Sequence, residues 1–269
     1  MSRVRKRFGQ HWLRSESVLA QIIAAAELQG SDRVLEIGPG RGALTRPLLA
    51  SGAEVVAVEL DRDLCPRLRQ QFRGERLQLI EEDILRLDLA PLGCNKVVAN
   101  IPYNITGPLL GHLLGSIAQP RRPPFERLIL LVQKEIGDRL MAAPGSKTYG
   151  ALSVRVQFLA TCEKVCAVPP RAFQPPPKVE SVVIRLWPRA VLPKVRSPQW
   201  LEILLKQGFA TRRKMLANAL QSLVPPQQVR QALLQLGRDA NSRAEALSLE
   251  DWLALSEVLQ QRQQEQQAS

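Results

Sequence analysis

Asn100-Ile101-Pro102-Tyr103 ends the apolar run Lys96-Val97-Val98-Ala99 and sets an amide, a proline carbonyl and an aromatic ring in a row where a strand gives out. These groups suit the methylation of a flat, weakly nucleophilic amino group such as that of adenine. The lone pair of such a nitrogen is conjugated with its ring and attacks a methyl sulfonium poorly. If the Asn100 side-chain oxygen and the Pro102 carbonyl each accept one N–H bond, the nitrogen can move toward tetrahedral geometry while Tyr103 stacks on the ring. A strand followed by a proline turn would carry the same residues for no chemical reason, so the motif needs support from elsewhere in the chain.

That support begins upstream. Glu36-Ile37-Gly38-Pro39-Gly40-Arg41-Gly42 follows a strand-like run and opens a helix, and its glycines let the backbone turn sharply and approach a ligand. With Ala43 as a third member, Gly38 and Gly40 also satisfy a dinucleotide fingerprint, so the loop alone leaves a nicotinamide cofactor open. Pro39 within the turn, and a helix start of Ala43-Leu44-Thr45, tilt the reading toward S-adenosylmethionine, a nucleoside and amino-acid ligand with no pyrophosphate to seat. Glu59 and Asp83 each end a later strand, where one carboxylate can hold ribose hydroxyls and the other an adenine amino group. A single acid at a strand end is ordinarily just solvated, but two after successive strands are hard to explain that way.

The elements that must position these residues can be read from the pattern. Val18, Leu19, Ile22, Ile23 and Ala26 mark an amphipathic helix behind Ser15-Glu16-Ser17. Strand-like runs follow at 33–37, 54–58, 77–80, 96–99 and 128–132, with helices from about Leu44 and about Arg62. Continuous apolar strands separated by helices predict an α/β fold with a parallel sheet covered on both faces. The alternation at 153–159 and 179–186 predicts two later strands, with the proline-rich stretch 168–178 between them as neither helix nor central strand. Pro188, Pro193 and Pro198 mark a linker, and past it the pattern is helical. The expected domains are thus 1–190, carrying the ligand sites and a basic N-terminal segment, and 197–269.

Charge and composition narrow the partner. The chain has 269 residues, 37 Lys and Arg against 25 Asp and Glu, and a net charge of +12, which points to a polyanion. No apolar stretch reaches the roughly 18 to 20 residues of a membrane span, and no signal-like segment follows Met1, so the expected location is the cytoplasm. The four cysteines form no C-x-x-C pair and there are only two histidines, His11 and His112, so no metal site is expected.

Taken together, 5–13, the loop at 36–45, Glu59-Leu60-Asp61, Asp83, Asn100-Ile101-Pro102-Tyr103 and 172–179 resemble the rRNA adenine dimethyltransferase family, over residues 3 to 260. The resemblance implies a Rossmann-like class I S-adenosylmethionine-dependent methyltransferase domain followed by a small all-helical C-terminal domain. It further implies dimethylation of two adjacent adenines near the 3′ end of small-subunit rRNA in an assembling subunit, by a monomer. The family's cofactor positions fall on His11, Leu13, Gly38, Glu59, Asp83 and Asn100. Its target-base positions fall on Asn100, Pro102, Tyr103 and Phe173, the last two as the faces of a clamp for a flipped base. The family has Asn where this chain has His11 and Phe where it has Trp12, and an imidazole can exchange one hydrogen bond much as an amide does.

RNA affinity is expected from two basic clusters: Arg5, Lys6 and Arg7, and Arg212, Arg213 and Lys214 on a helix that packs Met215 and Leu216. Three rival readings remain at this level. One is the related class that dimethylates an adenine of large-subunit rRNA. The others are a non-catalytic assembly factor that kept the fold, and a dehydrogenase.

Overall fold

The computed structural model describes residues 11–122, 125–211 and 213–268. In chain order the elements are β1 (Trp12–Leu13), α1 (Glu16–Ala26), β2 (Arg33–Ile37), α2 (Thr45–Ala50), β3 (Glu54–Glu59), α3 (Cys65–Gln71), β4 (Leu77–Glu81), β5 (Lys96–Asn100), α4 (Thr106–Leu114) and β6 (Arg127–Gln133). They continue with α5 (Lys134–Leu140), α6 (Ala151–Leu159), β7 (Ala160–Val168), β8 (Phe173–Gln174), β9 (Ser181–Pro188), α7 (Pro198–Gly208), α8 (Leu216–Ala219), α9 (Pro226–Gln235) and α10 (Leu249–Ala268). They form two compact units. One holds the described residues up to Gly115 with 122–137 and 161–188; the other holds 116–121, 138–160 and the described residues from Arg189 onward.

In the first unit a seven-stranded sheet runs in the order β4-β3-β2-β5-β6-β9-β7. β2 to β6 are mutually parallel, and β9 is antiparallel to β6. The expected parallel sheet is therefore there, extended by an antiparallel edge. Its strands are apolar almost without interruption because both faces are covered, and Val34, Leu35, Val55, Val56, Val97 and Val98 are fully buried. The chain leaves β2 for β3 and β4 on one side and returns to β5 and β6 on the other, so the order reverses between β2 and β5. A crevice opens at the carboxyl ends of strands at such a reversal. The register aligns Ile37 with both Val58 and Ala99, and Glu59 with Glu81, so Gly38, Glu59, Asp83 and Asn100 all emerge at that one edge. At the opposite end of β2 and β5, Asp32 accepts from the Lys96 ammonium (2.7 Å) and the Asn95 amide (2.7 Å), pinning the two strands in register.

α1 opens on Ser15, whose hydroxyl accepts from the Val18 N–H, and closes on Glu27 in the left-handed region. Away from the sheet, β1 pairs antiparallel with β8 across more than 150 residues of chain, Trp12 opposite Gln174 and Leu13 opposite Phe173.

The second unit corrects two expectations. Residues 153–159, which alternate like a strand, form α6. Val154, Val156 and Phe158 are all buried, but so are Ser153 and Leu159, so burial on more than one face produced the alternation. The helix starts where the Gly150 N–H donates to Ser153 Oγ (3.0 Å), which in turn donates to the Arg139 carbonyl (2.6 Å). The second unit thus holds the described residues past the predicted linker and also takes in 116–121 and 138–160.

The second correction concerns Arg213 and Lys214, which lie in the loop between α7 and α8 rather than on a helix. α7 ends because Gly208 abuts Trp252 and Phe209 turns into an aromatic cluster with Tyr149 and Trp252. The Leu216 N–H then starts α8 by donating to the Ser242 carbonyl. Arg213, Lys214 and Met215 are exposed; Arg212, like Arg5, Lys6 and Arg7, lies outside the described residues.

Candidate active site

Two adjoining cavities open at the carboxyl edge of the sheet, of about 300 and 230 Å³. The larger is bordered by His11, Gly38, Glu59, Asp83, Asn100, Pro102 and Tyr103, so seven of the residues singled out from the sequence converge on one space. The smaller shares Gly38 and Asn100 with it and adds Leu13 and Glu36.

The glycine loop is shaped by what lies under it. Its first N–H, of Gly38, donates to the Val58 carbonyl (2.9 Å) and so continues the sheet. Gly40 sits at φ +59°, where a Cβ would stand 3.1 Å from the Trp12 ring, and Gly42 sits at φ +82°, where a Cβ would stand 2.6 Å from Phe72. A side chain at either position would be strained and would force its aromatic neighbour to shift. Trp12 is in turn covered by the Arg41 guanidinium, 3.7 Å from the ring centroid.

Two acids at the strand ends have opposite surroundings. The Glu59 carboxylate accepts from the Gly40 N–H (3.0 Å) and the Asp61 N–H (2.8 Å), one to each oxygen, and a carboxylate oxygen has lone-pair capacity for a further donor. Burial raises its pKa, and the two backbone donors oppose the rise. Glu36 is buried more deeply, and neither of its oxygens has a hydrogen-bond partner among the described residues. Burial, with the charge of Glu59 adding to it, pushes the Glu36 carboxyl up to about 8. Thr45 lies close enough to offset part of the rise, but its hydroxyl does not reach hydrogen-bond geometry. A buried carboxyl with open valences beside a cavity is matched by a cationic ligand group. Asp83 completes the set: Oδ1 accepts from the Leu85 N–H (3.0 Å), and Arg86 stands 3.9 Å from Oδ2.

At the other end of the larger cavity the anchoring runs through side chains. Asn100 Nδ2 donates to the His11 carbonyl (3.0 Å). A carbonyl can only accept, so this bond fixes which end of the amide is the nitrogen and keeps Oδ1 as an acceptor. The Pro102 carbonyl accepts from the Ile105 N–H (3.1 Å), with its second lone pair remaining. The Tyr103 hydroxyl bonds Ser181 Oγ on β9 at 2.6 Å, tying the ring to the sheet. Burial raises the Tyr103 pKa, so it is a neutral phenol at ordinary pH. The His11 imidazole stacks on Tyr103, and its Nδ1 bonds the Pro175 carbonyl (2.8 Å).

Phe173 is not at this cavity. It is 4% exposed and belongs to the core cluster that also holds Leu13, Val168 and Val183. Its β8 pairing with β1 sends the ring inward while Gln174 stays exposed and accepts from the Arg14 guanidinium. Among the residues lining the cavities that the sequence reading did not single out are Glu36, Trp12 and Leu60. Glu36 carried a signal, being the one acid inside an apolar strand, and Leu60 sits next to Glu59, yet each looks ordinary in sequence. Among the described residues no cluster of His, Cys, Asp or Glu could hold a metal ion, and no helix is long and apolar enough to cross a membrane.

The model of the ribosomal RNA adenine dimethylase family matches residues 1–261. The ribosomal RNA small subunit methyltransferase A of Thermosynechococcus vestitus is 87% identical over 264 residues, which is 98% of this chain and all of the relative. Among solved structures, a dimethyladenosine transferase from Plasmodium falciparum is 29% identical, with a TM-score of 0.77 over 91% of this chain and 96% of that one. The 23S rRNA methyltransferase ErmE is 27% identical, with a TM-score of 0.74 over 93% and 99% of the two chains.

Proposed function

We propose a target and residue roles from a fixed premise: the chain belongs to the ribosomal RNA adenine dimethylase family, and it is an S-adenosylmethionine-dependent methyltransferase of ribosomal RNA. Its target is a pair of adjacent adenines near the 3′ end of small-subunit rRNA, each dimethylated on the exocyclic nitrogen within an assembling subunit, in the cytoplasm and by a monomer. The name carried by a relative 87% identical along its whole length supports the small subunit over the large one, which is the substrate named for ErmE at 27% identity.

The cavities fit the cofactor. When bound, S-adenosylmethionine supplies an electrophilic methyl group. Glu59 holds the ribose hydroxyls with its remaining lone pairs, Asp83 the adenine amino group, and Gly38, Leu13 and Glu36 border the methionine end, where the Glu36 carboxylate meets the ammonium.

The observation that carries the catalytic roles is the 3.0 Å bond from Asn100 Nδ2 to the His11 carbonyl, because it leaves Oδ1 to accept from the target. Asn100 Oδ1 and the Pro102 carbonyl each take one N–H of the adenine amino group, and Tyr103 stacks on the base. As the nitrogen turns tetrahedral its lone pair localises, and it would form the new N–C bond as the methyl's bond to the cofactor sulfur breaks and leaves its electron pair on sulfur. Those two hydrogen bonds strengthen as the nitrogen gains positive charge. The proton then leaves to water, since the methylated nitrogen is acidic and needs no dedicated base. Arg213, Lys214 and the clusters outside the described residues supply affinity for the phosphate backbone.

The test is to incubate the protein with labelled S-adenosylmethionine and unmethylated small or large ribosomal subunits, and to map the modified nucleotides. Label on two adjacent adenines of the small subunit is the expected result. Label on the large subunit alone, or on no adenine, overturns the target assignment.

A further inference from the structure

We propose that Arg14, Arg41 and Arg67 form a phosphate seat at the mouth of the smaller cavity, gripping the rRNA backbone beside the flipped adenine. The inference rests on the reading that Asn100 receives that adenine, because Asn100 borders both cavities. A nucleotide that leaves its stack turns about its own backbone, so the base enters the protein while the flanking phosphates stay outside at the rim. The rim must then accept negative charge. Contacts of that kind set the register of the strand without reading its sequence.

Arg14 follows β1 and Arg41 lies in the glycine loop, and both line the smaller cavity. Arg67 stands on α3 and, like Arg14, is exposed. Three separate segments thus bring like charges to one place. Burial first, and then the charges of Arg67 and Arg14, lower the pKa of Arg41, so the three guanidinium groups act on one another. Such crowding disfavours the charged groups of the free protein, and an anion relieves it. The seat is also held in shape. Arg41 rests over the Trp12 ring, which β1 fixes opposite Gln174 of β8. The Arg14 N–H donates to the Ala172 carbonyl (2.8 Å), and its guanidinium donates to the Gln174 side chain. A guanidinium has five N–H donors in a planar fork, so Arg14 keeps donors for phosphate oxygens while holding Gln174. This surface belongs to the first unit, with the site of the chemistry, whereas Arg213 and Lys214 belong to the second.

The experiment measures binding to unmethylated small ribosomal subunits over a potassium chloride series, with S-adenosylhomocysteine saturating so that differences in cofactor affinity do not enter. Wild type is compared with Arg67→Gln, with the triple change of Arg14, Arg41 and Arg67 to Gln, and with the same triple change to Lys. A control, Arg33→Gln with Arg76→Gln, removes charge at the opposite edge of the sheet, where β2 and β4 begin. The Gln triple should bind about tenfold more weakly at about 0.1 M salt and lose about 2 from the slope of log affinity against log salt. Arg67→Gln alone should lose about 0.7 of slope, the worth of one single-strand phosphate contact. Its S-adenosylmethionine affinity, read by calorimetry, should stay within about twofold, since Arg67 lines neither cavity. The Lys triple should recover most of the slope, because a phosphate contact needs the charge, and the control should keep the wild-type slope. A Gln triple with the wild-type slope overturns the seat, as does a control that flattens the slope equally, which would make the effect one of net charge. A Gln triple that binds subunits like wild type but loses S-adenosylmethionine also overturns it, by making these arginines partners of the cofactor carboxylate. Failure of the underlying reading shows separately: wild type with labelled S-adenosylmethionine would then leave the small-subunit adenines unmethylated.

Discussion

The two ends of the larger cavity are built on different principles. At the cofactor end the parts are neighbours in sequence: the glycine loop follows β2 directly, Glu59 closes the next strand, and the bonds that hold them come from backbone N–H groups of Gly40 and Asp61. At the base end the side-chain anchors span long stretches of chain. Asn100 reaches His11 across 89 residues, Tyr103 reaches Ser181 across 78, and His11 reaches Pro175 across 164. One end is a property of the α/β unit itself, as strand ends at a reversal of strand order always make a crevice. The other exists only where β1, β8 and β9 meet from the two ends of the unit's sequence. A cofactor site of this kind can be common to many chemistries, while the groups that choose the substrate are drawn from distant parts of the chain and held by side chains.

The largest effect that separates the two ends should come from Asn100→Ala. Removing an acceptor that acts mainly in the transition state is expected to slow single-turnover methyl transfer by roughly 10²–10³, the range seen when one preorganised polar group is lost. The fold should survive, and cofactor affinity should fall by no more than a few-fold, since Asn100 only borders that end. Rates within a few-fold of wild type would remove Asn100 from the chemistry. Glu59→Ala is the complementary change. It should weaken S-adenosylmethionine binding by about 1–3 kcal/mol, the worth of hydrogen bonds to a charged group, and leave RNA affinity in place. Calorimetry that finds an unchanged dissociation constant would put Glu59 outside the cofactor site.

The same contrast decides what could be read in the sequence. The parallel strands, the glycine loop, Glu59, Asp83 and Asn100 were all legible, because a buried strand and the residue after it are local patterns. Phe173 was read as facing the cavity because its proline-rich surroundings look like a surface loop, whereas pairing with β1 turns its ring toward the core. That pairing has no local signature. α6 looked like a strand because burial on more than one side erases the helical period. The basic cluster before Met215 looked helical because the reason for the break, an aromatic cluster of Tyr149, Phe209 and Trp252, joins residues more than a hundred positions apart. Glu36 was in plain view, but only its missing partners set it apart from an ordinary strand residue.

Those missing partners give the next prediction, of about tenfold per pH unit in binding. With its carboxyl pushed up to about 8, Glu36 keeps its proton at pH 7 in the free protein. The sign follows from linkage. Below about pH 4.5 the group is protonated whether the chain is folded or not, so its contribution is fully present. As the pH rises toward 8 the unfolded chain gives up its proton and the folded one does not, and this contribution to stability is lost. A cofactor ammonium beside Glu36 favours the carboxylate, so binding at pH 7 should release close to one proton. Calorimetry in two buffers of different ionisation enthalpy measures it directly. Affinity should rise with pH up to about 8 and level off, and Glu36→Gln should abolish both the proton release and the slope. Proton release that persists in Glu36→Gln would assign the titration to another group.

The smallest effect concerns the anchor of the base end. Tyr103→Phe and Ser181→Ala each delete one half of the same 2.6 Å bond, but they strand different partners. Ser181 is 1% exposed, so Tyr103→Phe leaves a buried hydroxyl with no water to turn to. Tyr103 is only partly buried, and in Ser181→Ala its hydroxyl can be rehydrated. An unsatisfied buried hydroxyl costs about 1–3 kcal/mol, whereas the net worth of a typical hydrogen bond is about 0.5–1.5 kcal/mol, so Tyr103→Phe should destabilise more than Ser181→Ala. The double variant should lose less than the sum of the two, since nothing is left unpaired. Neither change removes the ring, so stacking persists and methylation should slow only a few-fold, through a looser placement of the base. Denaturant unfolding of the three variants supplies the cycle. If the two single changes proved equal and additive, the bond would not be what sets the ring, and the base end would owe its geometry to packing alone, as the cofactor end owes its own to the backbone.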